Sequence, residues 1–287
     1  FDGAFHGRTL GALSLNRSKT VHRRGFPEVP GVISLPYPAT QDEYERRWLT
    51  DGPGGNVVAD RLHPDRGVID PDEVAFLILE PIQGEGGYRV AHPEFARDLE
   101  ALRERYDLRI VADEIQSGLG RTGELWAIDH LDLTPDVITS AKGLRVGATI
   151  ARSELFPAET GRLSSTWGAG DLLAAMQGVL TIDIIHEQGL LENVRTRGQH
   201  LLDRLEDLES ESIVDVRGRG LMLAVEFDTE TRRDAVLEAA FSRGLLTLGC
   251  GYKTLRLLPP LDVTEREIDL GVRLLVESIE AVTPSDS

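Results

Sequence analysis

The sequence predicts an α/β protein in two parts: a large domain over residues 1–189 built on a mainly parallel sheet, and a smaller α+β domain over residues 190–287. Three observations carry this reading. Apolar runs at 74–79 (VAFLIL) and 108–112 end in Glu80 and Asp113, and a shorter one at 137–139 stops just before Lys142, as strands buried on both faces do. Helical periodicity separates the first run from the second. Beyond residue 190 the pattern changes to amphipathic helices followed by short strand-like runs.

Each element has its own justification. After the first run, Pro93 suits a first helical position, and Phe95, Leu99, Leu102 and Tyr106 recur at helical spacing. Strand, helix, strand repeated in this way implies parallel pairing, and in open sheets of that kind ligands gather beyond the carboxyl ends of the strands. Glu80, Asp113 and Lys142 all fall there. Residues 171–186 are apolar on most sides (Leu172, Leu173, Met176, Val179, Leu180, Ile184), which predicts a buried helix stopping near Gly189. A more amphipathic helix follows, with Val194, Leu201, Leu205 and Leu208 on one face. Strand-like runs come at 221–227, 245–248 and 254–258. The final helix opens on a capping box, Thr264 with Glu267, and carries the stripe Ile268, Val272, Leu275, Ile279.

A chain of 287 residues can bury a substantial core and exceeds the size at which single cores usually divide. Acidic residues number 48 against 31 basic, for a formal charge of −17, a surface that repels nucleic acid and anionic membranes. Only Lys19, Lys142 and Lys253 are lysines; high negative charge with so little lysine predicts adaptation to a salt-rich cytoplasm. Cys250 is the one cysteine, so no internal disulfide is possible and a reducing, cytoplasmic setting is expected. The seven histidines show no metal-ligand spacing, and no transmembrane run is present, so neither a metal nor a membrane partner is expected. The chain starts at Phe1 with neither Met nor a signal-like segment, and is expected to be part of a longer polypeptide.

The segment ADEIQSGLGRTG (112–123) raises a question, because its last six residues match the G-x-G-x-x-G spacing of a dinucleotide-binding loop. That loop leads from a strand directly into a helix, whereas here Glu114, Ile115, Gln116 and Ser117 intervene and Glu124-Leu125-Trp126 follow. The glycines are better read as a tight turn, with Arg121 as its anchor.

Lysine has been kept at a strand end, within SAKGL, in a chain that otherwise uses arginine. Arginine stays charged, whereas a partly desolvated lysine amine can become neutral and attack a carbonyl carbon. Alone, Lys142 reads more readily as a solvated surface residue, and Asp113 as a salt-bridge or capping residue. Together, 29 positions apart (142 − 113), they sit one crossover unit from each other on expected neighbouring strands. An amine that can condense with an aldehyde and a carboxylate that can keep a ring nitrogen protonated are what pyridoxal phosphate needs.

EPIQGEGG (80–87), ADEIQSGLGRTG (112–123), PDVITSAKGL (135–144) and LRLLPPL (255–261), in this order and with FHGRT (5–9) before them, resemble the class III pyridoxal phosphate aminotransferases. The resemblance implies fold type I and a homodimer with active sites shared between subunits. It implies that Lys142 holds pyridoxal 5'-phosphate covalently and moves the proton between substrate and cofactor carbons, with Asp113 on the ring nitrogen and Gln116 near the phenolic oxygen. It further implies that Phe5 stacks on the pyridine face and that Thr166, in SSTWG, reaches the phosphate bound by the neighbouring subunit. Glu85 and Arg256 would form the family's switch: the arginine takes the α-carboxylate of glutamate, and the glutamate masks it when an ω-amino donor binds. Arg8 would hold the donor's distal carboxylate.

The chain departs from the family pattern in two places. The glycine- and serine-rich phosphate loop that normally precedes FHGRT is absent. The stretch between Lys142 and Thr166 is short and lacks Gly-Phe-Pro after the lysine, which resembles the lysine 6-aminotransferases. The expected reaction moves an amino group from an ω-amino acid such as 4-aminobutyrate to 2-oxoglutarate. Lysine, ornithine and acetylornithine stay open as donors, an amino-acid racemase as another use of the fold, and a non-catalytic dimerisation module as the alternative that is no enzyme.

Overall fold

The computed structural model describes residues 1–163 and 171–282. In chain order the strands and longer helices are β1 (Leu77–Leu79), β2 (Ile82–Gln83), β3 (Arg89–Val90), α1 (Pro93–Tyr106), β4 (Ile110–Asp113), β5 (Val137–Ser140), β6 (Ala148–Ala151), α2 (Leu172–Glu187), α3 (Leu190–Glu206), β7 (Ile213–Arg219), β8 (Met222–Phe227), α4 (Glu230–Ser242), β9 (Leu248–Cys250), β10 (Thr254–Leu257) and α5 (Glu265–Val282).

The first sheet has the order β1-β4-β5-β6, its first three strands parallel and β6 antiparallel at one edge. Its register sets Leu79 beside Ala112 and Asp113 beside Thr139, so the parallel strands end close to one level. That is why Glu80 and Asp113, from distant sequence, face one space. The helix expected from Pro93 is α1, and its Phe95, Leu99 and Leu102 pack with Leu79, Ile110 and Ala112 in one core. Trp48 meets the edge of Phe95 at 4.7 Å between ring centroids, within the range of favourable aromatic pairs.

Two expectations of burial are corrected. The run 74–79 forms a strand only from Leu77, and Phe76 is exposed. The cause is position: β1 is an edge strand, and no described strand pairs with its outer side. The helix predicted over 171–186 forms as α2, but only Gly178 and Ile185 are buried, and Leu173 is 73% exposed. Gly178 approaches Leu144, and Ile185 packs with Leu119 and Leu190, so one side is covered while the other is open.

The second sheet is antiparallel with order β7-β8-β10-β9. Helices α3 and α5 seal it through Val194, Leu201, Leu205, Ile268, Val272, Leu275 and Ile279, which share a core with Leu223, Val225 and Leu255. The capping box forms: Thr264 N–H donates to Glu267 Oε2 at 2.8 Å, and Glu267 N–H to Thr264 Oγ1 at 3.3 Å. The strand expected at 245–248 lies further on, as β9. Strand β7 and helix α4 are additions to the sequence reading. The β7 segment carries Asp215, Arg217 and Gly218 in place of an apolar run, and the buried stripe of α4 is only Arg233, Val236 and Ala240.

Candidate active site

At the end of β4 the buried Asp113 uses both carboxylate oxygens. Oδ1 accepts from Ile115 N–H at 3.1 Å, and Oδ2 lies 2.7 Å from His6 Nδ1. A carboxylate oxygen can only accept, so Nδ1 carries the proton. His6 is itself fixed: its N–H donates to the buried Asn16 Oδ1 at 2.6 Å, and Asn16 Nδ2 returns a bond to Gly7 O at 2.8 Å.

Glu80 follows β1 directly and is 6% exposed. Its Oε1 accepts from Phe5 N–H at 2.9 Å and its Oε2 from Gly84 N–H at 2.8 Å. Burial, opposed by His6 and reinforced by the charge of Asp113, pushes this carboxyl up to about 7. Lys142 stands two residues beyond β5. Desolvation first, and the Arg256 guanidinium second, hold its amine below its ordinary value, against the opposing pull of Glu80, Glu85 and Asp113. The side chain remains exposed along part of its length, which limits that depression.

Strands β2 and β3 form a hairpin that carries Glu85 in its turn. Glu85 Oε1 accepts from Arg256 Nη1 of β10 at 3.0 Å, in a partly buried ion pair. The second sheet also grips the hairpin backbone. Gly251 N–H donates to Glu85 O at 2.9 Å, and Arg217 reaches Gly87 O with Nε at 2.9 Å and Nη2 at 2.7 Å. Gln116 lies against Gly84 so closely that a Cβ there would fall 2.9 Å from the amide group and displace it.

Phe5 is half-buried, edge-on to His22 at 5.0 Å, and the exposed Arg8 guanidinium lies 5.5 Å from its ring centroid. Burial lowers His22; Glu85 opposes this, while Arg8 and Lys19 add to it. The chain thus brings Asp113, Glu85 and Arg256 within electrostatic reach of Lys142, and sets Gln116 beside the hairpin and Phe5 beside Glu80 and Arg8. Thr166 lies outside the described residues.

The GLGRTG segment is a run of turns. Leu119 (φ 53°), Gly120 (φ 84°) and Gly123 (φ 94°) all take left-handed backbone, and only the short turn Ala127–His130 follows. Leu119 packs against Gly143, beside Lys142, where a Cβ would come within 3.2 Å of the leucine. Arg121 donates to the carbonyls of Leu221 and Pro259, so it ties the turn to the second sheet. Among the described residues no α-helix opens directly from this loop to receive a pyrophosphate, as the dinucleotide reading would require.

His6, Glu80 and His22 were not singled out as site residues by the sequence. His6 lies inside FHGRT, and Glu80 ends an apolar run where a carboxylate needs a partner, so both carried a signal. His22 carried none. A cavity of about 540 Å³ lies away from these groups at the outer edge of β1, where Leu35, Leu62, Phe76 and Leu77 give it an apolar lining. It lacks the convergent polar groups of a chemical site.

The residues fit pyridoxal phosphate. Gln116 Oε1, His6 Nε2 and Thr139 Oγ1 are buried polar atoms without a protein partner around the strand ends, a condition that is rare unless a bound group satisfies them. A carboxylate, an amine of depressed pKa and a side-chain amide are the donor set for ring nitrogen, aldehyde carbon and phenolic oxygen.

Comparison with known proteins agrees with this chemistry. The family model described as Aminotransferase class-III matches residues 1–279. An acetylornithine aminotransferase of Caldanaerobacter subterraneus subsp. tengcongensis is 33% identical over 97% of this chain and 66% of its own length. A protein of Caenorhabditis elegans named as a probable mitochondrial 4-aminobutyrate aminotransferase is 33% identical over 98% of this chain and 59% of its own. The solved lysine aminotransferase from M. tuberculosis, in its internal aldimine form, superposes with a TM-score of 0.85 at 32% identity, over 98% of this chain and 66% of that one. The chain therefore spans a little under two thirds of the length of these relatives.

Proposed function

The chain belongs to the class-III aminotransferases, and on that premise we propose that it carries the catalytic groups of a pyridoxal phosphate-dependent transaminase moving an amino group from an ω-amino acid, 4-aminobutyrate in type, to 2-oxoglutarate. The observation that carries the reading is the Glu85–Arg256 pair at 3.0 Å, set in the same space as Lys142 and Asp113. When bound, pyridoxal phosphate supplies an electron sink for charge that develops at the substrate carbon.

The chain's own residues do the rest. Lys142 Nζ, whose pKa desolvation lowers, takes the proton from the substrate carbon and returns it elsewhere. Asp113, oriented by His6, holds a proton on the ring nitrogen. Gln116 donates to the phenolic oxygen, Phe5 covers one ring face, and Thr166 contributes to the phosphate site of a neighbouring copy. Arg256 takes the α-carboxylate of glutamate once Glu85 releases it. With an ω-amino donor Glu85 stays on Arg256, so no unpaired guanidinium faces the donor, and Arg8 takes the distal carboxylate. We further propose a cytoplasmic homodimer, in which a second copy covers the open apolar side of α2.

A donor screen on the intact protein tests this reading. Glutamate formed from 4-aminobutyrate only in the presence of 2-oxoglutarate is the expected result. Faster reaction with lysine, ornithine or N-acetylornithine would reassign the donor, loss of enantiomeric purity without a keto acid would make it a racemase, and no absorbance band near 400 nm after adding pyridoxal phosphate would leave a non-catalytic module.

A further inference from the structure

Glu80 has no role in the scheme above, yet it is among the most buried charged side chains near the strand ends. Its position is unusual in chemistry as well as burial. No arginine or lysine bonds to it; its two oxygens are taken by two backbone N–H groups, Phe5 and Gly84, that are 79 residues apart in sequence. One bond fixes the segment in which Phe5 and His6 stand, and through His6 reaches Asp113. The other fixes the start of the hairpin turn that carries Glu85.

The far side of that turn is held as well, by Gly251 N–H on Glu85 O and by Arg217 on Gly87 O. With its backbone anchored at Gly84, Glu85 and Gly87, the turn leaves the Glu85 side chain as the part free to leave Arg256. A neutral amide in place of Glu80 could accept at one of the two contacts only, and at the other would face a donor with a donor. Both oxygens accept only when Glu80 is ionised, so the paired contacts belong to the carboxylate; desolvation opposes that form and the two N–H bonds, arriving from opposite directions, favour it.

We propose that Glu80 is a positioning residue for substrate switching: it ties the Glu85 hairpin to the Phe5–His6 segment, so that exchange between ω-amino donor and α-amino product is confined to the Glu85 side chain. This rests on the reading of Glu85 and Arg256 as the switch. The test uses the intact holoenzyme and the variants Glu80→Gln and Glu85→Ala. Hydrogen exchange is read on peptides covering 1–8 and 82–88, and each half-reaction is followed separately with glutamate and with 4-aminobutyrate, or with whichever ω-donor the screen selects.

Glu80→Gln should speed exchange in both peptides and raise KM for glutamate about tenfold, with kcat and the ω-donor half-reaction changed far less. Unchanged protection in either peptide overturns the proposal. So does faster exchange with both half-reactions altered equally, while Glu85→Ala still shifts their ratio; Glu80 would then be merely structural. A Glu85→Ala variant that leaves the ratio unshifted overturns the switch itself and this proposal with it. If Glu80→Gln does not fold, Glu80→Asp, which keeps the charge but shortens the reach, is read by the same criteria.

Discussion

The parallel-sheet region and the C-terminal antiparallel region handle the same material in opposite ways. Helix α5 carries a narrow apolar stripe and buries Ile268, Val272, Leu275 and Ile279 against its own sheet. Helix α2 is apolar nearly all round, and Leu172, Leu173, Met176, Val179 and Leu180 are exposed. Around the first sheet, buried polar atoms of His6, Gln116 and Thr139 also lack protein partners. The C-terminal region has unpartnered polar atoms of its own, Thr247 Oγ1 and Arg256 Nε among them, but the helix open along a whole apolar side belongs to the first region, where the proposed cofactor and second copy would sit. Stability and function should accordingly separate between them.

The largest expected effect is on activity. Lys142→Ala should reduce transamination by the intact protein by roughly 10²–10⁴-fold while the urea midpoint hardly moves. A large loss of stability in this variant would break the comparison. Next is Leu275→Ala in the sealed core, expected to cost about 2–5 kcal/mol in denaturant unfolding with the rate of the remaining folded enzyme unchanged. Leu275 is fully buried, so a smaller cost would mean that the C-terminal core is looser than its packing.

A third prediction concerns pH. The Glu80 carboxyl, at about 7 in the folded chain against an ordinary 4.5, is favoured in its protonated form by folding. Its stabilising contribution is complete below pH 4.5 and fades as pH rises through 7, a difference of about 3 kcal/mol. Glu80→Gln, which cannot ionise, should remove that slope from stability measured between those limits; an unchanged slope would assign it to another group. Fourth, Leu173→Glu with Val179→Glu should turn the proposed dimer into monomer in sedimentation, with little effect on the C-terminal region. If the mass does not change, the open side of α2 is not covered by a second copy. The smallest effect is that of salt: with a charge of −17, the chain should unfold at a higher temperature in concentrated than in dilute KCl, and equal midpoints would remove the case for salt adaptation.

Legibility followed the range of the interactions. Helix α1, the capping box on Thr264 and the strand ends at Asp113 and near Lys142 could be read locally, because helix periodicity, caps and buried runs are set by neighbouring residues. Strand β7 could not, since its charged residues face the hairpin and solvent and leave no apolar run. Helix α2 was legible as a helix and misread as buried, because periodicity reports what a helix needs to cover and never what covers it.

By itself the sequence determined the α/β class and the elements from α1 to β5, and through its resemblance to a family it named a lysine, a carboxylate and a glutamate–arginine couple as the groups to look for. Tertiary structure alone decided that His6 meets Asp113 at 2.7 Å across 107 residues, that Glu80 joins Phe5 to Gly84, and that the second sheet closes on the hairpin through Arg217, Gly251 and Arg256. The reason is that hydrogen bonds and ion pairs reach only about 3 Å, so which distant residues meet is fixed by sheet register and packing, quantities that no local pattern in a chain contains.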